Sequence, residues 1–131
     1  MLATDIHFCH DIDAARRNGA KIYCIDTYRT KTADYADAFL CPRPGTDGAL
    51  ALGILHILVQ DGLADRAFLK EYVQGADALE REILPRYTPE AVEAITGISA
   101  EAIRSFAHAY GSARAPFIRL AAASPATSTA P

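Results

Sequence analysis

Pro42-Arg43-Pro44-Gly45-Thr46-Asp47-Gly48-Ala49-Leu50-Ala51-Leu52 is the stretch on which the reading of this chain turns. Two prolines and a glycine in four positions forbid a helix and make a rigid loop. Thr46 or Asp47 then supplies a capping oxygen, and a helix follows from about Gly48 to Asp61, stopped by Gly62. Leu50, Leu52, Ile54, Leu55, Ile57, Leu58 and Val59 make this helix apolar almost all round, so it is expected at the centre of the fold, buried on most sides.

Working toward the N-terminus, Phe39-Leu40-Cys41 is a short strand ended by Pro42, and Ala33 to Asp37 has room for one helical turn. Residues 26–33 are polar and loop-like. Lys21-Ile22-Tyr23-Cys24-Ile25 is a compact apolar run between Gly19 and Asp26 and reads as a buried strand. Asp11 or Asp13 caps a short helix running to Asn18, with Gly19 as its stop, and residues 1–10 show no period.

Working toward the C-terminus, the chain is helical. Asp65 caps a helix through Phe68, Leu69 and Tyr72 that breaks at Gly75. A second runs from Asp77 to Leu84, ahead of Pro85. Thr88-Pro89-Glu90 is a strong start, with a capping hydroxyl, proline at the first helical position and an acid at the positive end of the dipole. Gly97 ends that helix. Ser99-Ala100-Glu101 opens the last one, which reaches Gly111 with Ile103, Phe106, Ala107 and Tyr110 on its core face. Phe117-Ile118-Arg119-Leu120 is expected as a final strand. The class is α/β, with few strands and a helix-rich second half. From Ala121 to Pro131 only Ala, Ser, Thr and Pro occur, a composition that predicts a disordered tail.

Bulk properties narrow the function. At 131 residues, half of them apolar, the chain suits one domain with a buried core. A net charge of −3 argues against binding a nucleic acid polymer, which needs a basic face, but not against holding a single nucleotide. Cys9, Cys24 and Cys41 are odd in number and widely spaced, so no disulfide framework is expected. That usage points to a reducing compartment, the cytoplasm, with a periplasmic home for a longer parent left open. The longest apolar run, Ala49 to Val59, falls well short of the ~20 residues that span a bilayer, so no membrane insertion is expected. Met1 to Asp11 lacks the basic and apolar regions of a secretory signal.

Candidate chemistry gathers in two loops. Asp26 ends the first strand, where an acid can accept hydrogen bonds from ribose hydroxyls or simply open a polar loop. No Gly-x-Gly-x-x-Gly turn accompanies it, which disfavours a free-standing domain for a nicotinamide dinucleotide. Gly45 lets backbone approach a ligand closely. The start of the following helix presents N–H groups and a positive dipole end suited to phosphate. Thr46 stands at that start. Asp47 is either an N-terminal cap or, being acceptor-only when ionised, a partner for the paired N–H donors of a guanine edge. Arg29 and Arg43 lie in the same loops, where they meet a phosphate, a base or only water. His7, Cys9 and His10 crowd together without a fourth ligand, so no metal site is assigned. His56 is expected as a hydrogen-bonded core histidine, and His108 on the exposed side of the last helix. No nucleophile–base pair is identifiable, and no catalytic residue is assigned.

Several segments in this order resemble a known family: Ala14-Ala15-Arg16-Arg17-Asn18-Gly19-Ala20-Lys21-Ile22, Ile25-Asp26, Arg29-Thr30, Thr32-Ala33, Ala36-Asp37, and above all Arg43-Pro44-Gly45-Thr46-Asp47-Gly48-Ala49-Leu50-Ala51-Leu52. Asp61 to Phe68, Tyr87-Thr88-Pro89-Glu90 and Ile95-Thr96-Gly97 continue the match. The chain from about residue 13 to Leu120 is similar to the large subunit of molybdopterin-dependent oxidoreductases, the dimethyl-sulfoxide reductase family with its formate dehydrogenases and nitrate reductases. The resemblance implies a partial Rossmann-like three-layer domain over residues 1–120 that holds one molybdopterin guanine dinucleotide. Asp26 would sit by the ribose or guanine, and the loop from Arg43 to Asp47 would wrap the nucleotide, with Arg29, Gly45 and Thr46 beside it. The remaining domains of a parent enzyme would be its partners. The molybdenum ligand and an iron–sulfur cluster would lie in that longer protein, and this chain alone is expected to show no turnover.

The chain also departs from the family. Where the family reads Ile-Asp-Pro-Arg after the first strand, Thr27 and Tyr28 stand here in place of the last two residues. Residues 1–10 and the Ala/Ser/Thr/Pro tail do not follow the family, from which a truncated or shifted reading frame is expected. The competing reading is a non-catalytic helical interaction module or a decayed remnant, which would bind no guanine nucleotide.

Overall fold

A computed structural model describes residues 6–120, with side chains from residue 9 onward. The expected tail over 121–131 lies outside the described residues. The order is α1 (Ile6–Arg17), β1 (Tyr23–Ile25), α2 (Lys31–Tyr35), β2 (Ala38–Leu40), α3 (Asp47–Gln60), α4 (Arg66–Tyr72), α5 (Ala76–Ala78), α6 (Pro89–Thr96) and α7 (Ala100–Gly111). The fold is mixed α/β and helix-rich. Its sheet is a single parallel pair, with Tyr23, Cys24 and Ile25 opposite Ala38, Phe39 and Leu40. Parallel strands need a crossover connection, which α2 supplies in a very short form.

The core forms where α3, α6 and α7 meet. Leu50 and Ile57 of α3, Val92 of α6, Ile98, and Ile103 and Ala107 of α7 close around one another, and Leu40 of β2 joins them to the sheet. Tyr23 of β1 packs edge-on against Phe106 of α7, ring centroids 5.0 Å apart, which fastens the other strand to the same helix. Thr96 is fully buried yet satisfied, since its hydroxyl donates to the Val92 carbonyl at 2.8 Å and accepts from the Ile98 N–H at 3.2 Å. α3 itself is less enclosed than its composition predicts. Leu50, Gly53 and Ile57 are buried, whereas Leu52, Leu55, Leu58 and Val59 are half-buried.

Local signals account for most element ends. Thr30, Asp65, Thr88 and Ser99 each accept from the N–H three residues on, so α2, α4, α6 and α7 start with side-chain caps, worth about 1 kcal/mol apiece. Gly97 ends α6 at φ +79°, a left-handed conformation that glycine adopts without strain. His56 is half-buried, its Nδ1–H donating to the Leu84 carbonyl at 2.8 Å, and His108 is exposed beside Asp61.

Four expectations are corrected. α1 begins at Ile6, not at Asp11 or Asp13, so residues 6–10 are helical. Tertiary contacts rather than periodicity hold this helix. Ile12 is buried, Arg16 donates to the Tyr35 carbonyl and to Asp37, and the Tyr35 hydroxyl donates to Asp13. Asp37 also accepts from the Ile22 N–H at 2.8 Å. That bond, followed by the Arg16 charge, holds its carboxyl below the usual carboxylate range. The turn expected over Ala33 to Asp37 lies at Lys31–Tyr35, drawn forward by the Thr30 cap. The helix expected from Asp77 to Leu84 is instead α5 followed by a wide turn at Leu79–Ile83 and a tight 3₁₀ turn at Leu84–Arg86. Pro85 has no N–H to continue an α-helix. Finally, Phe117 to Leu120 forms no strand. Phe117, Ile118 and Leu120 are exposed. Strand propensity without a ladder partner does not make a strand.

α3 and α6 cross closely at Gly53, where a Cβ would lie 2.7 Å from Val92 Cγ2. Gly53→Ala is therefore expected to destabilise the chain by about 1–2 kcal/mol, the overpacking cost exceeding the gain in helix propensity. Combined with Val92→Ala, the loss should be smaller than the sum of the two single losses. Urea denaturation of the four proteins measures this coupling, and simple additivity would contradict the packing described.

Candidate functional site

Because β1 and β2 are parallel and in register, their carboxyl ends lie side by side, and the two loops singled out in the sequence leave from the same edge. Ligands in open α/β sheets bind at that edge. The Asp26 N–H donates to the Leu40 carbonyl at 3.1 Å, carrying the ladder one residue past Ile25. Beyond it the Cys41 thiol donates to the Thr27 carbonyl at 3.4 Å, a contact between the loops with no local signal in the sequence. Asp26 bends back on itself, one carboxylate oxygen accepting from the Thr27 N–H at 2.8 Å.

The two arginines are both engaged within the fold. Arg29 pairs with Asp34, Nε to Oδ1 2.6 Å, and its guanidinium lies over the Phe39 ring at 5.7 Å. Arg43 reaches across to the end of α6. Its Nη1 donates to the carbonyls of Ala94 at 2.7 Å and Ile95 at 3.1 Å, and its backbone N–H donates to the Thr96 carbonyl at 2.8 Å. A helix C-terminus presents carbonyls without intrahelical partners and a negative dipole end, and a cation there satisfies both.

Past Arg43, the loop turns at Gly45, whose φ of +78° favours glycine and whose Cα faces open space. Thr46 stands in the cap position of α3 but does not cap. Its hydroxyl donates to the Arg43 carbonyl at 2.7 Å and accepts nothing from the helix. The N–H groups of Asp47, Gly48 and Ala49 are thus left without acceptors among the described residues, the first helical bond being Leu50 to Thr46. The exposed carboxylate of Asp47 likewise has no hydrogen-bond or ion-pair partner among them. The structure therefore brings Asp26, Gly45, Thr46 and Asp47 to one edge, while the guanidinium of Arg43 turns away to α6 and that of Arg29 to Asp34.

Among the described residues no group of three or more His, Cys, Asp or Glu could hold a metal ion. Nor is any helix among them long and apolar enough to cross a membrane. Cys24 is buried, which pushes its thiol up. A cleft of about 540 Å³ runs along α4 and α5 between Arg66, Lys70, Asp77 and Arg81 and includes none of the loop residues.

No family model matches the chain. It is 45% identical over 119 residues to the probable oxidoreductase YoaE of Bacillus subtilis, covering 91% of this chain and 17% of that protein. It is 38% identical over 104 residues to formate dehydrogenase H of Escherichia coli, covering 79% and 14%. Its fold superposes on acetylene hydratase from Pelobacter acetylenicus with a TM-score of 0.82 at 33% identity, over 88% of this chain and 16% of that one. The chain belongs to the molybdopterin oxidoreductase family. It spans about a sixth of the length of these relatives.

The Arg43 clamp joins the loop to the helical half of this family segment. Arg43→Ala is expected to cost about 1 kcal/mol and to speed amide exchange in residues 43–50, both read by denaturation and hydrogen exchange. Arg43→Lys, with one compact head in place of the fork, should recover part of the loss. Unchanged exchange in the Ala variant would contradict the clamp.

Proposed function

We propose that this chain is the part of a molybdopterin oxidoreductase that binds the guanine-nucleotide end of a molybdopterin guanine dinucleotide, with residues 1–120 as the binding unit of a Rossmann-like layer. The carrying observation is the start of α3, where the capping threonine is diverted to Arg43 and both the first N–H groups and the Asp47 carboxylate are left for a ligand.

The chemistry fits guanine. Its edge presents two adjacent N–H donors beside a carbonyl, and an ionised carboxylate next to free backbone N–H groups is the complementary set. Adenine presents neither paired donors nor that carbonyl. Gly45, with no side chain in the way, lets the base or sugar come against the backbone, and the second oxygen of Asp26 is positioned at the strand end for a ribose hydroxyl. Thr46 and Arg43 shape the loop, Thr46 through its hydroxyl bond and Arg43 through the α6 clamp. Arg29 borders the site and reaches a phosphate only if it gives up Asp34. When bound, the cofactor's metal end supplies the redox chemistry. In this reading its molybdenum ligand, and any iron–sulfur cluster, belong to other parts of a longer enzyme, which are this chain's partners.

The full chain is expected to bind GDP in calorimetry and to bind ADP at least tenfold more weakly. Asp47→Ala should lose about tenfold or more in GDP affinity. Asp47→Asn, which offers an amide donor where the carboxylate accepted, should shift the preference from guanosine toward xanthosine diphosphate. Equal affinities for GDP and ADP, or an Asp47→Ala variant that binds GDP unchanged, would sink the proposal.

A further inference from the structure

Of the six tyrosines in the chain, five have a structural place. Tyr23 packs against Phe106, Tyr35 lies under the Arg16 guanidinium, Tyr72 meets Phe68, Tyr110 stacks near Phe106, and Tyr87 packs on the core. Tyr28 is the exception. It is as exposed as Tyr72, at 67%, but unlike Tyr72 has no ring, hydrogen-bond or ion-pair partner among the described residues. It also stands at the candidate site. Asp26 precedes it by two residues, and its neighbour Thr27 accepts the Cys41 thiol that joins the two loops.

The other planar groups of these loops are committed elsewhere, Arg29 to Asp34 and Phe39, and Arg43 to the end of α6. A base held by its edge at Asp47 still exposes both of its faces to water. Covering one with an aromatic ring is favourable for any base, because every base has a π-face, and such contacts are worth about tenfold or more in affinity. We propose that Tyr28 is the stacking platform for the nucleobase, supplying affinity through the ring face while Asp47 supplies the choice of guanine. This rests on the nucleotide-binding reading of the same edge.

The division of labour is testable on the full chain with GDP as the probe. Tyr28→Ala should weaken GDP binding about tenfold or more while leaving the ratio of GDP to ADP affinity unchanged. Tyr28→Phe should bind as the parent does, since the hydroxyl carries no part of the contact. The chain contains no tryptophan, so Tyr28→Trp introduces a single indole whose emission guanine should quench on binding. Tyr28 is exposed, and circular dichroism checks that each variant retains the parental fold. A parent that binds GDP, with Tyr28→Ala binding it equally well and the Tyr28→Trp emission unmoved at saturation, would overturn the stacking role and leave the nucleotide-binding reading standing. No binding of GDP by the parent would overturn both.

Discussion

One arginine joins the two halves of this molecule. Arg43 leaves the loop after β2 and donates to two carbonyls at the end of α6, while its own backbone N–H takes a third. The consequences spread both ways. On the helical side, the bonds satisfy carbonyls that Gly97 leaves open as the chain turns toward α7. On the loop side, they fix where Pro44 and Gly45 begin their turn. The Arg43 carbonyl then accepts both the N–H and the hydroxyl of Thr46. That double acceptance draws the cap of α3 away from its own helix. The open N-terminus of α3 is thus a downstream result of how the loop is tied to α6, and the α3–α6–α7 core is what makes the tie rigid.

How much of this was legible in the sequence depends on whether a feature is local. Caps at Asp65, Thr88 and Ser99, the stops at Gly62, Gly97 and Gly111, and the first two strands follow from residue types a few positions apart. The start of α1 is not legible, because its anchors, Tyr35 and Asp37, lie about twenty residues away and leave no periodic trace. Phe117 to Leu120 has the composition of a strand, but pairing is a property of two segments. At the site, Asp26, Gly45, Thr46 and Asp47 were recognisable from a strand end, a Pro-Gly turn and a helix start. The engagement of Arg29 and Arg43 was not, because a guanidinium in a loop looks the same whether it meets a ligand or a carbonyl fifty residues away. Tyr28 was noticed only as a departure from the family motif. Its significance lies in the contrast with the other tyrosines, each of which has a ring, cation or core contact, exposed Tyr72 included.

The parallel pair, the linked loops and the open start of α3 form one edge with acceptors, donors and an unpartnered ring, whereas the cleft along α4 and α5 is lined by the Arg66–Glu80 ion pair, by Arg81 donating to the Asp77 carbonyl, and by Lys70 and the Asp77 carboxylate. The cleft and the edge lie in different places, and the open donors and acceptors are at the edge.

A titration of the isotopically labelled chain with GDP, followed by ¹H–¹⁵N correlation spectra, tests this most directly. The account predicts shifts concentrated at the amides of residues 26–28 and 45–49, with α4 and α5 silent. Shifts centred instead on residues 66–81 along the cleft, or spread evenly over the surface, would contradict it.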